Sequence, residues 1–142
     1  MSVSELPVIA SAAQRDREGF DDAGRGSAAW FTLFSSDMTP TQAMSAGIME
    51  LPPGGGILEP HRHRQPEIYF VFEGTGSLTI DGVATTVTAG MAAFIPGDAE
   101  HSVRNDAADL LRIFYVFPTD RFADIVYRFS NEAGRPQPSS GG

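Results

Sequence analysis

The chain has 142 residues, 10 Lys+Arg against 18 Asp+Glu and a formal net charge of -8. That length suits one domain with a real core, and that charge repels a phosphate backbone. With no Lys/Arg run to serve as a basic stripe, nucleic acid is not an expected partner. There is no cysteine, so disulfides, thiolate ligands and thiol nucleophiles are excluded, and any metal must be held by nitrogen and oxygen.

Residues 1–26 are polar and rich in small side chains, with "QRDREGFDDAGRG" running into glycines. They read as an arm or a leading strand and turn, in which Leu6, Val8 and Ile9 could dock at an edge. No basic start precedes an apolar block, and no run of about eighteen apolar residues occurs, so a cytoplasmic protein with no membrane partner is expected. From Trp30 the pattern becomes short β-type runs between turn residues: "WFTLFSS", "AMSAGIMEL", "EIYFVFEG", "GSLTIDG", "ATTVTAG", "MAAFIP", "HSVRN", "LLRIFYVF" and "ADIVYRF". Regular short strands of this kind predict an all-β sandwich or barrel over residues 27–130. Asp81-Gly82 marks a two-residue hairpin, and "LPPGGG" and "FIPGD" mark turns. One helical turn is expected around Thr119 to Ala123, and residues 131–142 read as a disordered tail.

The chemistry concentrates in "PHRHRQPEIYF". The chain has three histidines, and His61 and His63 stand there with Glu67 four positions on. Residues two apart on a strand share a face, so His61 and His63 can grip one cation and Glu67 can close from the next segment. His101, the third histidine, follows another turn, "FIPGDAEH". An open divalent site needs such a further ligand.

These residues resemble the two motifs of the cupin superfamily. The first, G(X)5HXH(X)3-4E(X)6G, is met by Gly55, His61, His63, Glu67 and Gly74. The second, G(X)5PXG(X)2H(X)3N, is met by Gly90, Pro96, His101 and Asn105, with Asp98 standing where the motif has its inner glycine and Gly97 one place early. Pro-Gly still makes a tight turn, so His101 should be presented, though with shifted geometry. The resemblance implies a single-domain jelly-roll β-barrel (a double-stranded β-helix) of six to eight strands. It also implies one divalent transition metal held by His61, His63, Glu67 and His101 with open positions for a ligand. Iron(II) is favoured, and manganese, nickel, zinc or copper also accept such donors.

Tyr69 follows Glu67 by two and shares its face. Opposite it, Ile68, Phe70 and Phe72 make an apolar outer face, which predicts a homodimer. Tyr127 shares a face with Ile125 and Phe129, and Tyr115 alternates with Ile113 and Phe117 as a core aromatic. A size like this, HxHxxxE followed by x-Tyr, and a tyrosine near the end of the barrel resemble the small cupin lyases that convert dimethylsulfoniopropionate to acrylate and dimethyl sulfide. That resemblance implies a metal-dependent carbon–sulfur lyase acting on a small carboxylate. Tyr69 would be the base and Tyr127 a substrate-holding residue, with Trp30, Phe31, Phe94 and Phe114 available as an aromatic wall for a sulfonium. A cupin dioxygenase, an isomerase or sugar-modifying enzyme with the same metal site, and a non-catalytic small-molecule binder are the alternatives. Arg62 and Arg64 are expected on the solvated outer face or in a dimer salt bridge.

Overall fold

Alternation of inward apolar and outward polar side chains builds the fold. In the computed structural model, which describes residues 5–133, β5 (Glu67–Glu73), β9 (His101–Asn105) and β10 (Leu111–Phe117) alternate buried with more exposed residues. Their inward residues Val71, Val103, Leu111, Ile113 and Phe117 form the core with Leu51 and Ile95.

The remaining strands are β1 (Glu18–Asp22), β2 (Gly26–Phe34), β3 (Ser45–Leu51), β4 (Gly56–Arg62), β6 (Thr75–Ile80), β7 (Val83–Thr88), β8 (Ala92–Ile95) and β11 (Arg128–Phe129). They join into one sheet ordered β7-β6-β9-β4-β2-β3-β10-β5-β8, with β1 beside β2 and β11 beside β4. Every pairing is antiparallel. The sheet curls on itself as the all-β jelly roll that the sequence predicts. Asp81 and Gly82 both take positive φ, 47° and 82°, at the β6–β7 turn, as a two-residue hairpin requires.

Three local features differ from the sequence reading. The strand β4, absent from the runs of β-type residues, contains Pro60, which has no N–H to give a ladder. The pairing of β4 with β9 shifts register between Leu58 and His61, and Pro60 sits in that irregularity, where a sheet tolerates proline. "ADIVYRF" is not one strand: a 3-10 turn at Phe122–Asp124 leads to the two-residue β11, and a short helix, α1 (Ser130–Ala133), follows. The expected tail from residue 131 thus begins in α1, and its residues 134–142 lie outside the described residues. In the N-terminal arm it is β1 that docks, pairing with β2, whereas Leu6 and Ile9 are exposed. No helix among the described residues is long and apolar enough to cross a membrane.

Asn105 closes the end of the barrel from a fully buried position. Its amide donates to the Leu51 and Asp109 carbonyls, both at 2.9 Å, and its side-chain oxygen accepts from the Ala107 N–H at 3.0 Å. All its polar atoms are satisfied, as burial demands.

Candidate metal centre and cavity

His61 is the penultimate residue of β4, His63 follows the strand, Glu67 opens β5 and His101 opens β9, so three chain segments deliver one donor cluster. His61 pairs with His101 across β4 and β9. All four residues are buried. The donor atoms of the three histidines lie within 4.8 Å of one another. Glu67 Oε1 lies 3.2 Å from His63 Nε2 and 3.3 Å from His101 Nε2.

The outer nitrogens fix what the inner ones can do. The Nδ1–H groups of His61, His63 and His101 donate to the carbonyls of Glu59, Gln65 and Ala99 at 2.8, 2.9 and 2.9 Å. That pins each ring and, in the neutral imidazole, leaves Nε2 as a bare lone pair turned inward, which is how metal-binding histidines are oriented. None of the three Nε2 atoms, nor Glu67 Oε1, has a hydrogen-bond partner. Burial first, then the neighbouring His101 and His63, lowers the His61 pKa to about 3 against the opposing Glu59 bond, so this ring is neutral near pH 7. Lone pairs and a carboxylate oxygen converging without a donor repel unless a cation lies between them. The donor set therefore fits a divalent metal ion, with three imidazole nitrogens and one carboxylate oxygen.

The substituted motif position does not displace His101. Asp98 adopts φ +64°, the left-handed conformation of the glycine it replaces, and its N–H donates to the His63 carbonyl at 2.8 Å. Gly97 is needed for a different reason: a Cβ there would lie 2.4 Å from the Arg64 carbonyl oxygen. His101 is presented as expected and joins the cluster with the others.

Beside the cluster lies a cavity of about 220 Å³, which Glu67 lines directly together with Tyr69, Tyr115 and Tyr127. Tyr69 is inward-facing on β5, its ring 6.2 Å from that of His101. The Tyr127 ring is half-buried and stands 5.2 Å from both His61 and His63. Burial first, and then the negative charge of Glu67 among the further causes, pushes the hydroxyls of all three tyrosines well above their ordinary value near 10. Tyr115 lies over Gly47, where a Cβ would be 2.4 Å from its hydroxyl oxygen, and that hydroxyl has no hydrogen-bond partner.

Of the expected aromatic wall only Trp30 faces the cavity. Phe31 pairs through Ile48 and Phe114 with Phe70, and Phe94 pairs with Ile68, so Phe31, Phe94 and Phe114 share the outer face. The other phenylalanines lining it are Phe20, Phe122 and Phe129, of which the sequence reading singles out only Phe129, on the face of Tyr127. Phe20 meets Trp30 edge-on at 5.3 Å and Phe129 at 6.2 Å. Alternation alone could have rejected Phe31 and Phe114, because each neighbours an inward residue on its own strand.

Comparison with known proteins decides the family. The model of the cupin domain matches residues 47–117. The chain is a cupin. A curated relative, the dimethylsulfoniopropionate lyase DddW of Ruegeria pomeroyi, is 42% identical over 115 residues, 81% of this cupin and 74% of the lyase. Among solved structures, the polyketide cyclase RemF of Streptomyces resistomycificus superposes with a TM-score of 0.73 at 20% identity, covering 88% of this cupin and 86% of that chain. A cupin-2 domain of Rhodospirillum rubrum gives 0.72 at 19%, covering 92% and 84%. The two structural likenesses concern the fold alone.

Proposed function

We propose that this cupin is a metal-dependent lyase that eliminates dimethyl sulfide from dimethylsulfoniopropionate and leaves acrylate. The observation that carries the reading is the identity to the Ruegeria pomeroyi lyase over most of both chains. His61, His63, Glu67 and His101 would hold one divalent transition metal, iron(II) by preference, which as a Lewis acid supplies stabilisation of negative charge on the substrate carboxylate and favours a neighbouring phenolate.

The chain's own residues do the rest. Tyr69 takes the α-proton onto its phenolate oxygen. The electron pair of the C–H bond becomes the Cα=Cβ bond, the Cβ–S bond breaks, and its pair leaves on sulfur as neutral dimethyl sulfide. Tyr127, packed against His61 and His63, holds the substrate. Trp30, Phe20 and Phe129 offer ring faces to the sulfonium cation and keep water out. Substrate deuterated at the α-carbon tests the step: it should turn over more slowly and still yield acrylate and dimethyl sulfide in equal amounts. Equal rates with either isotope, or no acrylate, would count against α-proton removal by this protein.

We also infer a homodimer through the outer sheet face. There Ile68, Phe70 and Phe94 are 46%, 40% and 67% exposed; Phe94 and Val116 flank Ile68 in one row, and Phe114 joins Phe70 to Ile48 in the next. The bordering row carries both signs, with Arg112 Nε 3.0 Å from Glu50 Oε2. An apolar patch with a mixed-charge rim suits a self-complementary contact.

A further inference from the structure

Asp98 costs the chain a glycine at a left-handed position, a conformation that glycine takes freely and other residues take with strain. Its side chain has a use elsewhere. The Asp98 carboxylate pairs with Arg128 Nη2, and its carbonyl accepts from Arg62 Nη1 at 3.0 Å. Arg62 and Arg128 stand directly opposite each other in the β4–β11 ladder, an arrangement of like charges that destabilises a strand pair unless anions lie between. Asp98 supplies one anion. Glu100 supplies the second, 4.0 Å from Arg62 Nη2, and accepts a hydrogen bond from Ser130 Oγ.

The backbone of the segment so tied has little other support, although Phe129 is buried in the core and stacks on Tyr127. The strand β11 has two residues and pairs with β4 alone, yet it directly follows Tyr127 and sets Phe129 opposite His61. We propose that Asp98 is a positioning residue: with Arg62, Arg128, Glu100 and Ser130 it fastens the C-terminal segment to the loop presenting His101, and so holds Tyr127 against His61 and His63. Its kinetic consequence rests on the reading of Tyr127 as the substrate-holding residue, whereas the fastening itself does not.

The test compares the full-length parent with Asp98→Gly and Asp98→Asn. Glycine suits the backbone and removes only the tie. Asparagine keeps an acceptor oxygen and tolerates left-handed φ. In Asp98→Gly the amides of residues 128 and 129 should exchange hydrogen about two- to fivefold faster, the range of an exposed ion pair. The melting temperature should be unchanged or higher, and KM for dimethylsulfoniopropionate should rise by a similar factor at constant kcat. Asp98→Asn should recover part of both effects. Unchanged exchange at 128–129 in Asp98→Gly, or equal acceleration across the whole barrel, would overturn the proposal. If the parent itself releases no dimethyl sulfide, the lyase reading fails while hydrogen exchange still decides the role of Asp98.

Discussion

Tyr69→Phe separates chemistry from structure at one atom. Tyr69 is 2% exposed and lies between Tyr115 and Ala93 in the ladder of β10, β5 and β8. The substitution keeps the ring, leaves that backbone pairing intact and touches none of the four metal donors. Even a lost hydroxyl hydrogen bond is worth only about 0.5–1.5 kcal/mol in stability, so the melting temperature should move by no more than about 6 °C. Metal content should match the parent. Turnover should fall by about a hundred- to ten-thousand-fold, the contribution of a general base, or about 2.7–5.4 kcal/mol of barrier at 1.36 kcal/mol per decade. Dimethyl sulfide in sealed vials, metal by plasma mass spectrometry and a circular dichroism melt give the three readings. Turnover within about threefold of the parent at equal metal would refute the role, and so would a fall in activity explained by lost metal or a collapsed melt.

The other predictions concern packing, ligation and assembly. In Gly47→Ala the new Cβ would lie 2.4 Å from Tyr115 Oη and 2.7 Å from the Phe31 carbonyl oxygen. That overpacking should cost about 1–3 kcal/mol and roughly 3–10 °C of melting temperature; an unchanged melt would contradict the described Gly47–Tyr115 contact. Either His101→Ala or Glu67→Ala should bind metal at least tenfold more weakly, by roughly the effect of losing a supporting residue or more. Both should keep a β-type circular dichroism spectrum, and full occupancy in either would remove that ligand from the site. Phe70→Glu should convert dimer to monomer in light scattering after gel filtration, and a parent that is already monomeric would end the outer-face assignment.

What the sequence shows depends on how local each feature is. The donor cluster was legible because strand alternation and two close motifs fix it within short segments, and His61, His63, Glu67 and His101 do converge. The strand carrying His61 was not, because Pro60 masks it and the bulge that admits proline depends on β9. The cavity aromatics were half legible. Parity alone could have placed Phe31 and Phe114 outside, and it does place Phe129 on the buried face with Ile125 and Tyr127, whereas Phe122 reaches the interior from a 3-10 turn, where no strand periodicity exists to read. Asp98 was visible as a departure from the motif, but its partner Arg128 lies thirty residues on, a pairing that only the folded chain brings about.

A metal held by the buried donor cluster is proposed to drive cleavage of dimethylsulfoniopropionate. Headspace dimethyl sulfide from metal-stripped protein, reloaded in turn with iron(II), manganese, nickel, zinc and copper, tests it most directly. The stripped protein should release none, and at least one ion should restore release, iron(II) most strongly. An ion bound stoichiometrically to His61, His63, Glu67 and His101, with no dimethyl sulfide from any of the five, would contradict it.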